Sequence, residues 1–120
     1  MAKITDDELA ALKTKHGKVL VLETAPDTAE GDEAPGDTWV FRAPRRADWM
    51  AHKLLATKAI AGDASGTLAS VQLARACLVW PSAADFDALI EAAPAIADGM
   101  GGELLASFRG GLQLRASKSG

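Results

Sequence analysis

Val19-Leu20-Val21-Leu22-Glu23-Thr24 and Thr38-Trp39-Val40-Phe41-Arg42 are the two stretches on which the fold turns. Both are rich in branched or aromatic residues and too short for a stable helix, so both read as strands. In the second, side-chain alternation puts Trp39 and Phe41 on one face and Val40 and Arg42 on the other. Between them runs APDTAEGDEAPGD (25–37), with two prolines, two glycines and a concentration of acids. It is too long and irregular for a tight turn, which predicts a mobile loop joining two antiparallel strands. With no glycine-rich phosphate pattern, it reads as a tolerated loop before a functional one.

Upstream, Thr5-Asp6-Asp7-Glu8 has the spacing of a capping box: the threonine oxygen accepts a free amide three residues on, and Glu8 reaches back. Ile4 and Leu9 sit where a hydrophobic staple clamps the chain. Acids open the segment, Lys13, Lys15 and His16 close it in accord with the macrodipole, and Gly17 is a natural stop. These signals predict a helix over 6–15.

Downstream the pattern turns helical. Pro44 closes the second strand. Asp48 is placed to cap a helix running to about Ile60, with Met50 and Leu54 on one face and Trp49, Ala56 and Ile60 on another. Residues 62–66 (GDASG) form a break. Residues 67–80 (TLASVQLARACLVW) are apolar nearly all round, with Arg75 the only charge, which predicts a helix in the middle of a bundle. Pro81 ends it, and Ser82-Ala83-Ala84-Asp85 repeats the capping-box spacing before a helix carrying Phe86, Leu89, Ile90 and Ala93.

Pro94 suits the first turn of a last helix, where its missing amide costs nothing. Ile96, Met100, Leu104 and Phe108 follow at four-residue spacing. Gly99, Gly101 and Gly102 each weaken that helix by about 1 kcal/mol relative to alanine. A second element passing very close, or a break in the helix, would explain them. Gly110-Gly111 terminates the helix and leaves a flexible tail over 113–120.

Composition sets the bounds. The 120 residues, 48% apolar and 24% charged, suit one domain with one core. About 25 alanines supply over two fifths of that apolar total and tyrosine is absent, which predicts thin, closely packed helices. No apolar run approaches the roughly eighteen residues of a membrane span. The acidic, polar opening MAKITDDELAALK does not resemble a secretion signal, and the lone Cys77 fits a reducing compartment. The net charge of −3 is unevenly spread: six acids and no base lie between Glu23 and Asp37, and five bases against Asp48 between Arg42 and Lys58. That polarity suits a protein partner or a neighbouring subunit, whereas nucleic acid calls for a strongly basic domain.

No reactive constellation emerges. Cys77 lies in the most apolar segment, where a thiol's pKa rises, so it reads as a core residue. His16 sits at a helix end and His52 one turn from Asp48, with no serine or cysteine nucleophile implied nearby. The two histidines are too far apart in sequence for a helical zinc pair. Glu30, Asp32, Glu33 and Asp37 are superficially like a calcium loop but lack its residue order. Gly99-Met100-Gly101-Gly102 is not a phosphate loop, and the tryptophans are not interleaved with bases as single-strand binding requires. Neither cofactor, metal nor catalytic residue is expected.

The order of elements and three phrases carry a resemblance. Phe41-Arg42-Ala43-Pro44-Arg45-Arg46 ends the hairpin, Cys77-Leu78-Val79-Trp80-Pro81 ends an apolar helix, and Pro94-Ala95-Ile96-Ala97 opens a closing leucine helix. Over about residues 8–111 the chain resembles the tail assembly chaperones of tailed phages and prophages, departing from them in Trp80 and in its glycine-rich last helix. The resemblance implies a non-catalytic protein of the infected cell's cytoplasm. It would bind the long helical tape-measure protein and keep it soluble until tail-tube subunits polymerise around it. It further implies a longer form made by frameshifting and absence from the mature virion.

The expected architecture is therefore α+β: an N-terminal helix and antiparallel hairpin (1–43) packed on a bundle of about four helices (44–111), within a single domain of 1–112. The expected partners are the tape-measure protein, then the tail-tube protein and a second copy of the chain, with neither nucleic acid nor membrane. Met100, Leu104, Leu105 and Phe108 are the candidate partner surface, against the plainer reading that they are core. The alternatives are a structural tail or head–tail adaptor retained in the particle, and a small enzyme using His52 and Asp48.

Overall fold

The structure, a computed structural model, describes residues 3–25, 37–60, 62 and 69–108. The first helix, α1 (Asp6–His16), starts as its capping signals require. The Thr5 hydroxyl accepts the Glu8 amide at 3.1 Å, the Glu8 carboxylate accepts the Thr5 amide at 3.2 Å, and Gly17 closes the helix at φ 77°. Its side chains are exposed or half-buried, so capping rather than core burial defines it. Strands β1 (Val19–Thr24) and β2 (Asp37–Arg42) pair antiparallel, Val19 opposite Arg42 and Thr24 opposite Asp37. Of the long segment between them, residues 26–36 lie outside the described residues, as do most of the 62–66 break, Gly110-Gly111 and the 113–120 tail.

Beyond Pro44 come α2 (Arg46–Ile60), α3 (Ala69–Cys77), a short strand β3 (Leu78–Trp80), α4 (Ala83–Ala92) and α5 (Pro94–Ser107). The strand corrects the expected helix over 67–80. The chain leaves the helix at Cys77, and Leu78–Trp80 pairs antiparallel with β2, Phe41 opposite Leu78 and Val40 opposite Trp80. The open edge of β2 offers these three residues backbone hydrogen bonds that a last helical turn before Pro81 could not complete. β2 thus becomes the central strand of a β1-β2-β3 sheet. Thr38, Trp39, Val40 and Phe41 on it are all buried instead of alternating between core and solvent.

Asp48 is corrected in a second detail. It stands in the first turn of α2, and its carboxylate reaches back to accept the Arg45 amide at 2.9 Å, as the third-residue member of a capping box does. At α4 the expected cap forms: the Ser82 hydroxyl accepts the Asp85 amide at 3.2 Å and donates to the Asp85 carboxylate at 2.7 Å.

The core lies between the sheet and α3, α4 and α5, and it is organised around Phe86. Trp39 and Phe41 meet the Phe86 ring edge-on, with centroids 6.0 and 6.4 Å away. Such pairs contribute about 0.5–1.5 kcal/mol each beyond the area they bury. Val71, Leu73, Cys77, Ala97, Met100 and Leu104 complete the cluster.

The glycines of α5 divide into two kinds. A Cβ built on Gly101 would lie 2.6 Å from the Ser70 carbonyl carbon and 2.8 Å from the Ser70 Cβ, so α3 crosses α5 there with no room for a methyl group. Gly99 and Gly102 have nothing within 4 Å of such an atom. Gly102→Ala should therefore raise stability by up to about 1 kcal/mol through helix propensity. Gly101→Ala should lower it by about 1–3 kcal/mol through overpacking. Urea unfolding of the two variants beside the wild type reads the opposite signs directly.

Candidate functional site

A single guanidinium at the end of β2 holds the junction between sheet and helices. Arg42 donates to the Asp48 carboxylate at 2.7 Å, to the Ala43 carbonyl at 3.1 Å and to the Ala76 carbonyl at 3.0 Å, near the end of α3. Both charged side chains are largely buried, each 14% exposed. Hydrogen bonding to Arg42 is the main force holding the Asp48 carboxyl below the ordinary carboxylate range, with the Arg45 amide acting the same way; the Asp48 bond also raises the Arg42 pKa. The pairing of Asp48 with His52 that the small-enzyme alternative calls for is not formed. The His52 Nδ1 is buried with no hydrogen-bond partner, and its ring lies 5.7 Å from that of Trp49.

This junction sets the entry angle of α2 and shapes a groove beside it. Pro44, Arg45, Arg46 and Trp49 form one wall and Leu104, Leu105 and Phe108, at the end of α5, the other, enclosing about 530 Å³. Three of the four residues singled out in the sequence thus meet at one place. Leu104 is buried at its base, while Leu105 and Phe108 are half-buried and pack on the core from its rim. Met100 does not join them. It is buried one turn earlier in α5, under a different groove.

The opposite wall was not singled out as a site, although the Phe41–Arg46 phrase contains most of it. Trp49 is 43% exposed, the Lys53 ammonium stands 5.2 Å from its ring, and the Lys18 ammonium stands 5.9 Å from the Phe108 ring. The Arg45 and Arg46 guanidiniums form no ion pair with a carboxylate among the described residues. The groove therefore joins an apolar floor to a cationic rim, a surface suited to the apolar stripe of a helix.

Cys77 is buried, and burial together with the nearby Asp48 charge pushes its thiol up to about 11, which makes it a core residue in chemistry as well as in position. Among the described residues no three His, Cys, Asp or Glu side chains are grouped to hold a metal ion. No described helix is long and apolar enough to cross a membrane. Comparison with known proteins gives no significant match to any family model, curated sequence or solved structure.

The clamp makes a prediction about acid stability. Because the Asp48 pKa is lowered by folding, its contribution is complete above the ordinary carboxylate range and is lost as pH falls through the lowered value. Arg42→Met leaves a largely buried carboxylate without its partner and should cost about 3–5 kcal/mol at neutral pH. Asp48→Asn should cost about 1–3 kcal/mol there, and its deficit against wild type should shrink as pH drops below 4. Chemical denaturation at a series of pH values measures both; a pH-independent deficit for Asp48→Asn would contradict the assignment.

Proposed function

We propose that the chain is a phage tail assembly chaperone, a non-catalytic binding protein of the host cytoplasm that holds the helical tape-measure protein soluble until the tail tube forms around it. The observation that carries this reading is the groove between α2 and the end of α5. It sets Leu105 and Phe108 opposite the exposed Trp49, with Arg45 and Arg46, which form no ion pair among the described residues, on its rim. A helix laid there would bury an apolar stripe against the floor and set acidic flanks near Arg45 and Arg46. Met50, away from the groove on α2, adds adaptable apolar surface. The resemblance in the Phe41–Arg46, Cys77–Pro81 and Pro94–Ala97 phrases supports the same reading.

Co-expression with the tape-measure reading frame of the same genome tests it. The wild-type chain should raise the soluble fraction of that protein several-fold. Trp49→Ala, at an exposed position that leaves the core intact, should remove most of the gain while keeping the wild-type melting temperature. Unchanged client solubility with the wild-type chain would refute the function, and full protection by Trp49→Ala would refute the groove. Abundant chain in purified particles would favour a structural tail protein instead.

A further inference from the structure

The molecule carries two more surfaces whose properties are opposite. The outward side of α2 displays Met50 and Leu54, 56% and 62% exposed and one helical turn apart. Around them stand Arg46, Lys53 and Lys58, and no acid shares this side, because the helix's single acid, Asp48, is turned inward to Arg42. The surface is convex, apolar and cationic.

At the far end of the hairpin, a groove of about 630 Å³ opens between β1 and the first turns of α5. Its floor is Leu22, Ile96 and Met100; Glu23 and Glu103 are exposed on its rim, and no lysine or arginine among the described residues lines it. β1 is an edge strand of the sheet, so nothing in the sheet covers this side of it. The surface is concave, apolar and anionic.

We propose that these two surfaces bind each other between copies of the chain, α2 of one molecule lying in the β1–α5 groove of the next. The fit rests on shape, a helix of about 10–12 Å diameter entering a groove. It rests equally on charge, since lysines flanking Met50 and Leu54 meet the Glu23 and Glu103 carboxylates while the apolar side chains reach the Leu22–Ile96 floor. The two surfaces share no residue, so the contact is heterologous: each molecule keeps one free face, and association continues into a chain or closes into a ring. One helix in one groove buries less than the roughly 1,600 Å² of a standard interface, so the association is weak and concentration-dependent. The docked helix also carries Arg46 and Trp49 of the client groove, but the contact needs no client and is tested on the purified chain alone, so its failure is distinguishable from failure of the chaperone reading.

Sedimentation velocity of the purified full chain tests it, over about 5 to 500 μM at low salt and again in about 0.5 M salt, where the Debye length falls to roughly 4 Å. The weight-average mass should rise at least twofold above the 12.5 kDa monomer with concentration, and the rise should vanish in high salt. Lys53→Glu/Lys58→Glu and Glu23→Lys/Glu103→Lys should each be monomeric throughout, with wild-type circular dichroism and melting temperature. Within each variant the remaining wild-type surface finds no matching one, and the two reversed surfaces match each other. Mixed one to one, the two variants should therefore associate again. A wild type that stays monomeric, variants that associate as well as wild type, or a mixture that stays monomeric would each overturn the inference.

Discussion

Arg42 ends the central strand at the point where sheet gives way to helices, and its guanidinium bridges the end of β2 to the start of α2 and the end of α3. Its position in a largely buried site makes the arrangement all or nothing. With Asp48 and two carbonyls as acceptors its hydrogen-bond donors are well used; without them an uncompensated charge would sit under the helices. Satisfying that guanidinium ties the first turn of α2, and with it the Pro44–Trp49 wall of the groove, to the end of the sheet.

An alanine-rich helical half needs such a fixed point because it has little else to specify it. Ala69, Ala74 and Ala97 bury small areas, and their benefit lies in letting backbones approach. The closest approach is at Gly101 and Ser70, where contact is between main chains. Shape specificity is concentrated instead in Trp39, Phe41 and Phe86, whose edge-on rings tie the sheet to α4. The core is thus a rigid aromatic centre with closely stacked, thin helices around it.

What could be read in advance follows from where the information is local. The Thr5–Glu8 box, the Ser82 cap, Pro94 in its first turn and the two hairpin strands depend on residues within a few positions of one another, and all form as expected. The close passage at Gly101 was legible as a question, since three glycines in one helix call for a neighbour, but only the fold shows that Gly101 alone has one. In sequence Leu78–Trp80 reads as helix because its apolar run continues that of α3. Its strand character comes from the open edge of β2, nearly forty residues away in sequence. Asp48 reads as a helix cap, with His52 one turn away as the alternative partner, and the long-range competitor Arg42 is invisible to helical spacing. A stripe at four-residue spacing likewise names one side of α5 but not which of its residues the neighbouring elements bury, as they do Met100.

The same clamp accounts for the surface electrostatics. By formal count α2 carries three cations and one anion, and its exposed side would be expected to mix both signs. Arg42 draws the anion inward, so the charge that reaches solvent beside Met50, Leu54 and Trp49 is cationic alone. At the other end of the hairpin, Glu23 leaves the sheet beside a floor of leucine, isoleucine and methionine with no base among the groove's residues. A net charge of −3 spread over 120 residues says nothing of this. The separation arises because a buried ion pair removes one charge from a helix surface, so the interaction that fixes the fold also determines which partners that surface attracts.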